Sequence, residues 1–411
     1  MERHASVPTT TMTSGVVVTL LALLLGLQAV ASDLYLPGLP QLTQELGANM
    51  RGAQYTLSGM LLAFGLSQLI WGPLSDRFGR RPVLLAGLGG FALASIGGTL
   101  APSIEWLIGW RALQGAAMGA AVMGARAIVR DLYAPAEGAR VLSKALTGLG
   151  VIACCTGPTG AVVVLLFGWR GAIAALGVFS AAALALVAWR FKETLPTARR
   201  SPLHPLALAR ASGQILGHRG FQAYLLLTTA TYLGLFTFLA ASSFVFIRVL
   251  GLSRLEYGFI VLSQSLAYIV GTFWCRRLLP RMGAPRAIRL AGFVTLAGGT
   301  LVGVLAWLGQ GQSWYGAWAI IVPFWLFMIG HGVHQPCGQA GVVGPFPDKA
   351  GMASALNGCG MMFGAFGMGT WLGAHLDGSV FPLTQGLWLW SVLTALIAWT
   401  LVQWHGAHAV T

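Results

Sequence analysis

Twelve stretches of about 20 predominantly apolar residues follow one another along this chain, each long enough to cross the hydrocarbon core of a bilayer. They fall near residues 14–37, 52–74, 82–101, 104–127, 140–164, 169–190, 220–245, 255–277, 286–308, 314–338, 350–373 and 383–404. Lipid offers no partners for backbone N–H and C=O groups, so helices that satisfy those groups internally are the structure such runs can take. The expectation is an all-α membrane protein. Composition agrees: 56% of the 411 residues are hydrophobic and 9% charged, where a soluble domain carries about 25% charged residues.

The stretch Gly72–Leu84, GPLSDRFGRRPVL, sets Asp76, Arg77, Arg80 and Arg81 in a short turn between two such runs. Arginine-rich short loops stay on the cytoplasmic side. With the N-terminus placed there, 20 of the 25 Lys and Arg residues fall on the inner side: Arg3, the Arg77 turn, Arg126, Arg130, Arg140, Lys144, Arg190, Lys192, Arg199, Arg200, Arg210, Arg219, Arg276, Arg277, Arg281, Arg286, Arg289 and Lys349. Arg51, Arg170, Arg248 and Arg254 fall outside, and Arg111 falls within a span. One topology thus sorts every base, with both termini cytoplasmic. The net charge of +14 is a record of orientation and does not point to nucleic acid as a partner. Val16–Val30 followed by Ala29-Val30-Ala31 resembles a signal peptide, but the run continues into DLYLPGLP, so the first helix is read as uncleaved.

Lys192–Arg219 is the longest hydrophilic segment and divides the spans six and six. The domains are therefore read as an N-terminal half (1–191), a cytoplasmic linker (192–219) and a C-terminal half (220–411). Pro73–Gly79 has a weak counterpart in Arg277–Gly283, each after the second span of its half. Parallel repeats of this kind occur in secondary transporters.

Apart from Glu105 and Glu256 at the very start of their runs, Asp33 is the one acid inside a span, roughly 25 Å along the first helix. A charge there costs about 2.5–3.5 kcal/mol, so such residues face cavities and carry function. A carboxyl that loads a proton on one side and releases it on the other is the minimum equipment of a proton-coupled carrier. The alternative is a helix-end Asp among headgroups. Arg111, about 10 Å into the fourth span, is either the electrostatic partner of that site or a cation capped by backbone carbonyls. Arg126 and Arg130, one turn apart with Asp131 adjacent, lie near the inner end of the same span. Arg126 either lines an inner cavity and attracts anionic groups or snorkels. Gly157-Pro158-Thr159-Gly160 interrupts the fifth span, as a hinge or a static kink. His331, His334 and Cys337 recur at i, i+3, i+6 in the tenth span. Packing accounts for them more simply than a proton or substrate role, and no nearby carboxylate supports a metal site. Tyr35, Tyr55, Tyr224, Tyr232, Phe236 and Phe238 could line a cavity for an amphipathic compound. Cys154, Cys155, Cys275, Cys337 and Cys359 read as apolar packing residues.

The chain contains no GxxxxGK[ST], HExxH or GxSxG, so neither ATP hydrolysis nor the commonest membrane hydrolases are signalled. No cofactor is expected.

These motifs together resemble the major facilitator superfamily. Gly72–Arg81 is similar to its loop between the second and third spans, Trp110–Gly115 to its fourth-span motif, and Gly157–Gly160 to its antiporter motif. Asp33–Pro40, with Arg126–Tyr133 and Ala350–Leu356, resembles the bicyclomycin and chloramphenicol resistance family of drug–proton antiporters. The resemblance implies twelve helices in two pseudo-symmetric six-helix halves, with Asp33 carrying protons and Arg111 tuning it. It also implies an inner charge latch between the halves built on Asp76 and Arg80, among Arg77, Arg81, Arg130 and Asp131. It departs at Leu25, where some relatives keep a second acid, at Ala161, where the antiporter motif has Gly, and at His331 and His334. The implied function is proton-driven export of small amphenicol- or bicyclomycin-like drugs from the cytoplasm of a bacterium by a monomer. The alternative is a proton-coupled exporter of a metabolite such as a sugar or amino acid.

Overall fold

The computed structural model describes residues 13–200, 205–313 and 315–406. Arg3 and the two chain ends, on which the expectation of cytoplasmic termini bears, lie outside the described residues. Helices account for most of the rest, as the apolar runs require. They are α1 (Ser14–Asp33), α2 (Leu39–Glu45), α3 (Met50–Phe78), α4 (Arg80–Thr99), α5 (Ile104–Leu132), α6 (Pro135–Arg190), α7 (Pro205–Leu216), α8 (Arg219–Ser243), α9 (Arg254–Leu308), α10 (Ala317–Val343), α11 (Ala350–His375), α12 (Phe381–Trp399) and α13 (Leu401–His405). Local chemistry sets several ends. The Asn49 side chain accepts from Gly52 N at 2.9 Å to start α3, and Ser253 with Glu256 forms a capping box at α9.

Among the described residues nine helices are long and apolar enough to cross a membrane. Two of them, Arg140–Arg190 and Arg254–Leu308, are 51 and 55 residues long. Each contains one glycine in the left-handed region, Gly168 (φ 67°) and Gly283 (φ 73°). Only glycine takes that conformation without a Cβ penalty, and each of these helices folds there into two rods. They correspond to the fifth with the sixth and the eighth with the ninth apolar run. The eleventh run forms α11 but is not among the nine, because its seven glycines and Asn357 lower its hydropathy. The left-handed glycines repeat along the chain. Gly47 and Gly251 lie 204 residues apart, as do Gly79 and Gly283, each pair at the corresponding turn of its half.

Apolar side chains cover the outside. Trp189 is 85% and Leu100 74% exposed, which water would penalise and lipid does not. One apolar core runs across both halves, from Leu24 and Phe64 to Phe236 and Met362. A smaller one, around Phe221, Tyr224, Cys275 and Cys337, belongs to the second half. The halves meet along two seams, α3 against α11 and α6 against α9.

The segment between the halves is anchored at both ends. Glu193 accepts from the backbone N–H groups of Arg80 and Arg81 at 2.9 and 3.1 Å. Further on, α7 packs on the second half, with Ser212 Oγ 3.6 Å from Met352 Sδ and Lys349 Nζ donating to Gln214 at 2.7 Å.

Candidate functional site

Helix α1 ends at Asp33, and the chain turns through Leu36–Gly38 into α2. The carboxyl is therefore at a helix end, yet it is 9% exposed and does not point into water. Its Oδ1 accepts from Ser32 Oγ at 2.5 Å. From the second half, the hydroxyls of Tyr232 on α8 and Tyr257 on α9 lie within electrostatic reach of it. Asp33 thus belongs to the first half, and the turn that follows it meets α8 and α9 of the second.

Arg111 is fully buried and does not pair with Asp33. Nη2 donates to Ala31 O at 2.7 Å, Nε to Thr56 O at 3.3 Å and Nη1 to Gln114 Oε1 at 2.7 Å. Gln114 in turn donates to Ser95 Oγ at 2.8 Å. The guanidinium sits 4.2 Å from the centre of the Tyr35 ring, a cation–π contact. Of the two roles the sequence left open, the geometry matches the one in which carbonyls hold the cation. Arg111 fastens α5 to α1 and α3 two residues from the carboxyl.

At the basic end, Arg80 Nη1 meets Asp76 at 2.6 Å and its Nε meets Asp131 at 2.8 Å. Arg130 lies 3.9 Å from Asp76, Arg81 donates to Ala188 O at 2.9 Å, and Arg77 stacks over Phe78 at 5.2 Å. The resemblance placed a latch between the halves; these groups instead tie α3, α4, α5 and the end of α6 within the first half. The reason is local. Gly79 (φ 104°) turns α3 directly into α4, so Asp76 and Arg80 remain one turn apart on the same side of the seam.

Arg126, on α5, does cross. It is exposed, and its Nη1 donates to Ser354 Oγ on α11 at 2.5 Å. The aromatic residues divide. Tyr55 is half-buried and stacks on Phe366 across the seam at 6.0 Å. Tyr232, 9% exposed, lies 3.9 Å from Met362 Sδ. Tyr35, Phe236, Phe238 and Tyr224 are fully buried. Tyr35 reaches Thr56 Oγ1 at 3.2 Å, Phe238 stacks on Phe324 at 4.1 Å, and Tyr224 donates to Gly406 O at 3.3 Å.

The imidazoles also pack between helices of the second half. His331 Nδ1 is 2.9 Å from Thr231 Oγ1 on α8, and His334 Nε2 is 3.1 Å from Thr295 Oγ1 on α9. Cys337 turns to Cys275 at 3.5 Å, so the three spaced residues do not converge. Among the described residues no group of three or more such side chains could hold a metal.

Gly157, Pro158 and Gly160 leave no break. The backbone of α6 stays helical through them, and the interruption falls at Gly168. Their small size serves contact instead. A Cβ on Gly157 would lie 2.8 Å from Gly258 O on α9, and one on Gly160 would collide with the Leu34 carbonyl.

Sequence reasoning passed over a group at the end opposite the Arg77 turn. Arg248, in the π-helical continuation of α8 (Phe244–Val249), donates to Pro40 O and, at 2.6 Å, to Thr43 Oγ1 of α2. Gln54 Nε2 donates to Ala240 O at 2.7 Å. Ser242 Oγ and Tyr257 Oη are 2.9 Å apart. Arg248 had a signal: it is one of four bases on the side where bases are scarce.

Two helical bodies joined along two seams, with a buried carboxyl and a bridging arginine where they meet, have the build of a membrane carrier. The chain belongs to the Major Facilitator Superfamily, whose pattern matches residues 21–369. It is 30% identical over 345 residues to a chloramphenicol resistance protein of Pseudomonas aeruginosa, covering 83% of this chain and 80% of that protein. It is 29% identical over 342 residues to multidrug resistance protein D of Escherichia coli strain K12, covering 82% and 84%. In structure it resembles the D-xylose–proton symporter with a TM-score of 0.69 at 15% identity, over 94% of this chain and 96% of that one; that likeness speaks for the fold.

Proposed function

We propose that the protein exports small amphipathic drugs, amphenicol- or bicyclomycin-like in character, across a bacterial inner membrane in exchange for protons. The observation that carries this is Asp33, a carboxyl withdrawn from water in the first half, next to the turn that meets α8 and α9 of the second. Both termini are cytoplasmic in this reading, the bilayer is crossed twelve times, and a monomer works without cofactor, drawing on the proton gradient. Each elementary charge moved down the potential contributes about 2.3 kcal/mol per 100 mV. The names of the relatives, which speak of chloramphenicol and multidrug resistance, favour a drug as cargo.

The cycle is alternating access. Most polar contacts between the halves named above lie at the end away from the Arg77 turn, Arg248 to α2 and Gln54 to Ala240, with Gly157 against Gly258; toward that turn the single contact named is Arg126 to Ser354. We read this as a state closed to the outside and open to the cytoplasm. Deprotonated Asp33 accompanies drug binding from within; its protonation from outside accompanies release. Asp33→Asn tests the scheme. In a pump-deficient host the variant should be present at the wild-type level yet confer no chloramphenicol resistance. In proteoliposomes chloramphenicol should no longer dissipate a pH gradient. Survival of both activities would remove Asp33 from the mechanism. A gradient dissipated by sugars or amino acids and not by drugs would make the cargo a metabolite.

A further inference from the structure

We infer that Arg126, where α5 meets α11, makes the junction of the halves a site for amphipathic compounds with an anionic or strongly electron-rich end, and one that rejects lipophilic cations. The inference rests on the export reading above and names the class of cargo. A guanidinium has five N–H donors, and Arg126 gives one hydrogen bond, to a neutral hydroxyl. Among the described residues no carboxylate stands within 4.0 Å of it. Other arginines of the first half are engaged. Arg80 is held by Asp76 and Asp131, Arg130 approaches Asp76, and Arg111 is enclosed by carbonyls and Gln114.

Position adds to this. Arg126 is exposed while its guanidinium contacts the opposite half, so it stands where the two bodies part. Asp33 cannot neutralise it. Arg111, which holds Ala31 beside Asp33, is fifteen residues earlier on α5, roughly 22 Å away along the helix axis. The cation and the proton carrier therefore act at opposite ends, and an anionic cargo need not compete for the carboxyl directly. A positive charge without a carboxylate partner attracts anions and repels cations.

The test compares nalidixate, an organic anion, with tetraphenylphosphonium, a lipophilic cation. Binding to purified protein is read by quenching of tryptophan fluorescence. Wild type should bind nalidixate and leave tetraphenylphosphonium unbound. Arg126→Gln should weaken nalidixate binding about tenfold, the loss of a charge-assisted contact, and Arg126→Lys should recover part of it. Arg126→Glu should admit tetraphenylphosphonium. An elution profile matching wild type shows that each variant is folded. Nalidixate affinity unchanged in Arg126→Gln, or equal binding of both probes by wild type, overturns the assignment. Because binding needs no proton gradient, this result stands apart from that of Asp33→Asn.

Discussion

Arg111 holds three helices together through neutral acceptors: Ala31 O on α1, Thr56 O on α3 and Gln114 on its own helix. Truncating a buried charged donor leaves these acceptors without partners, at about 1–3 kcal/mol for each unsatisfied group. Arg111→Gln should therefore lower stability by roughly 2–4 kcal/mol, seen as a reduced unfolding temperature of the detergent-solubilised protein. Arg111→Lys, which keeps one charge but not the planar fork, should fall between. A variant as stable as wild type would mean that the carbonyls find other donors. That Asp33 and Arg111 would be enclosed charges was legible from residue type and depth alone, since a charge in a span is costly. What Arg111 touches was not. A guanidinium donates to carbonyls and carboxylates alike, and the choice depends on which backbone passes within reach.

Among the helices, α6 shows how composition can be read correctly and assigned to the wrong work. The Gly–Pro–Thr–Gly pattern suggested a break, because proline lacks an N–H and glycine is loose. Within a long apolar helix the neighbouring hydrogen bonds carry the proline through. The glycines matter for what lies outside the helix, where α9 approaches at Gly258. Gly157→Leu should force the α6–α9 seam apart. The protein should still insert, but transport should fall at least tenfold, a loss of only ~1.4 kcal/mol in rate terms; transport at the wild-type rate would mean the seam tolerates the bulk. The boundaries at Gly168 and Gly283 were equally hidden. A tight left-handed turn between two apolar runs is marked by a single glycine, and this chain has 56.

For the whole molecule, the count of apolar runs and the sorting of bases were enough to anticipate an all-helical carrier in two halves. The contacts that close one end were not, because they join residues nearly two hundred positions apart, as Gln54 and Ala240 do. Arg248 is the long side chain of that closure. Arg248→Ala should shift the population toward the state open at this end. Gln54→Cys, in a background without the five native cysteines, should then react faster with a membrane-impermeant maleimide added from outside. Equal labelling with and without Arg248 would remove it from the closure.

The two anchors of the central segment carry a consequence of their own. Glu193 caps the turn of the first body, and α7 is fastened to the second. Nothing in this arrangement asks the polypeptide to be continuous from one anchor to the other. Two separate genes, one ending after Glu193 and Leu195 and the other starting ahead of α7, should yield fragments that find each other in the bilayer and co-purify. Recovery of either fragment without its mate would show that tethering, and not the fit of the paired surfaces, keeps the carrier whole.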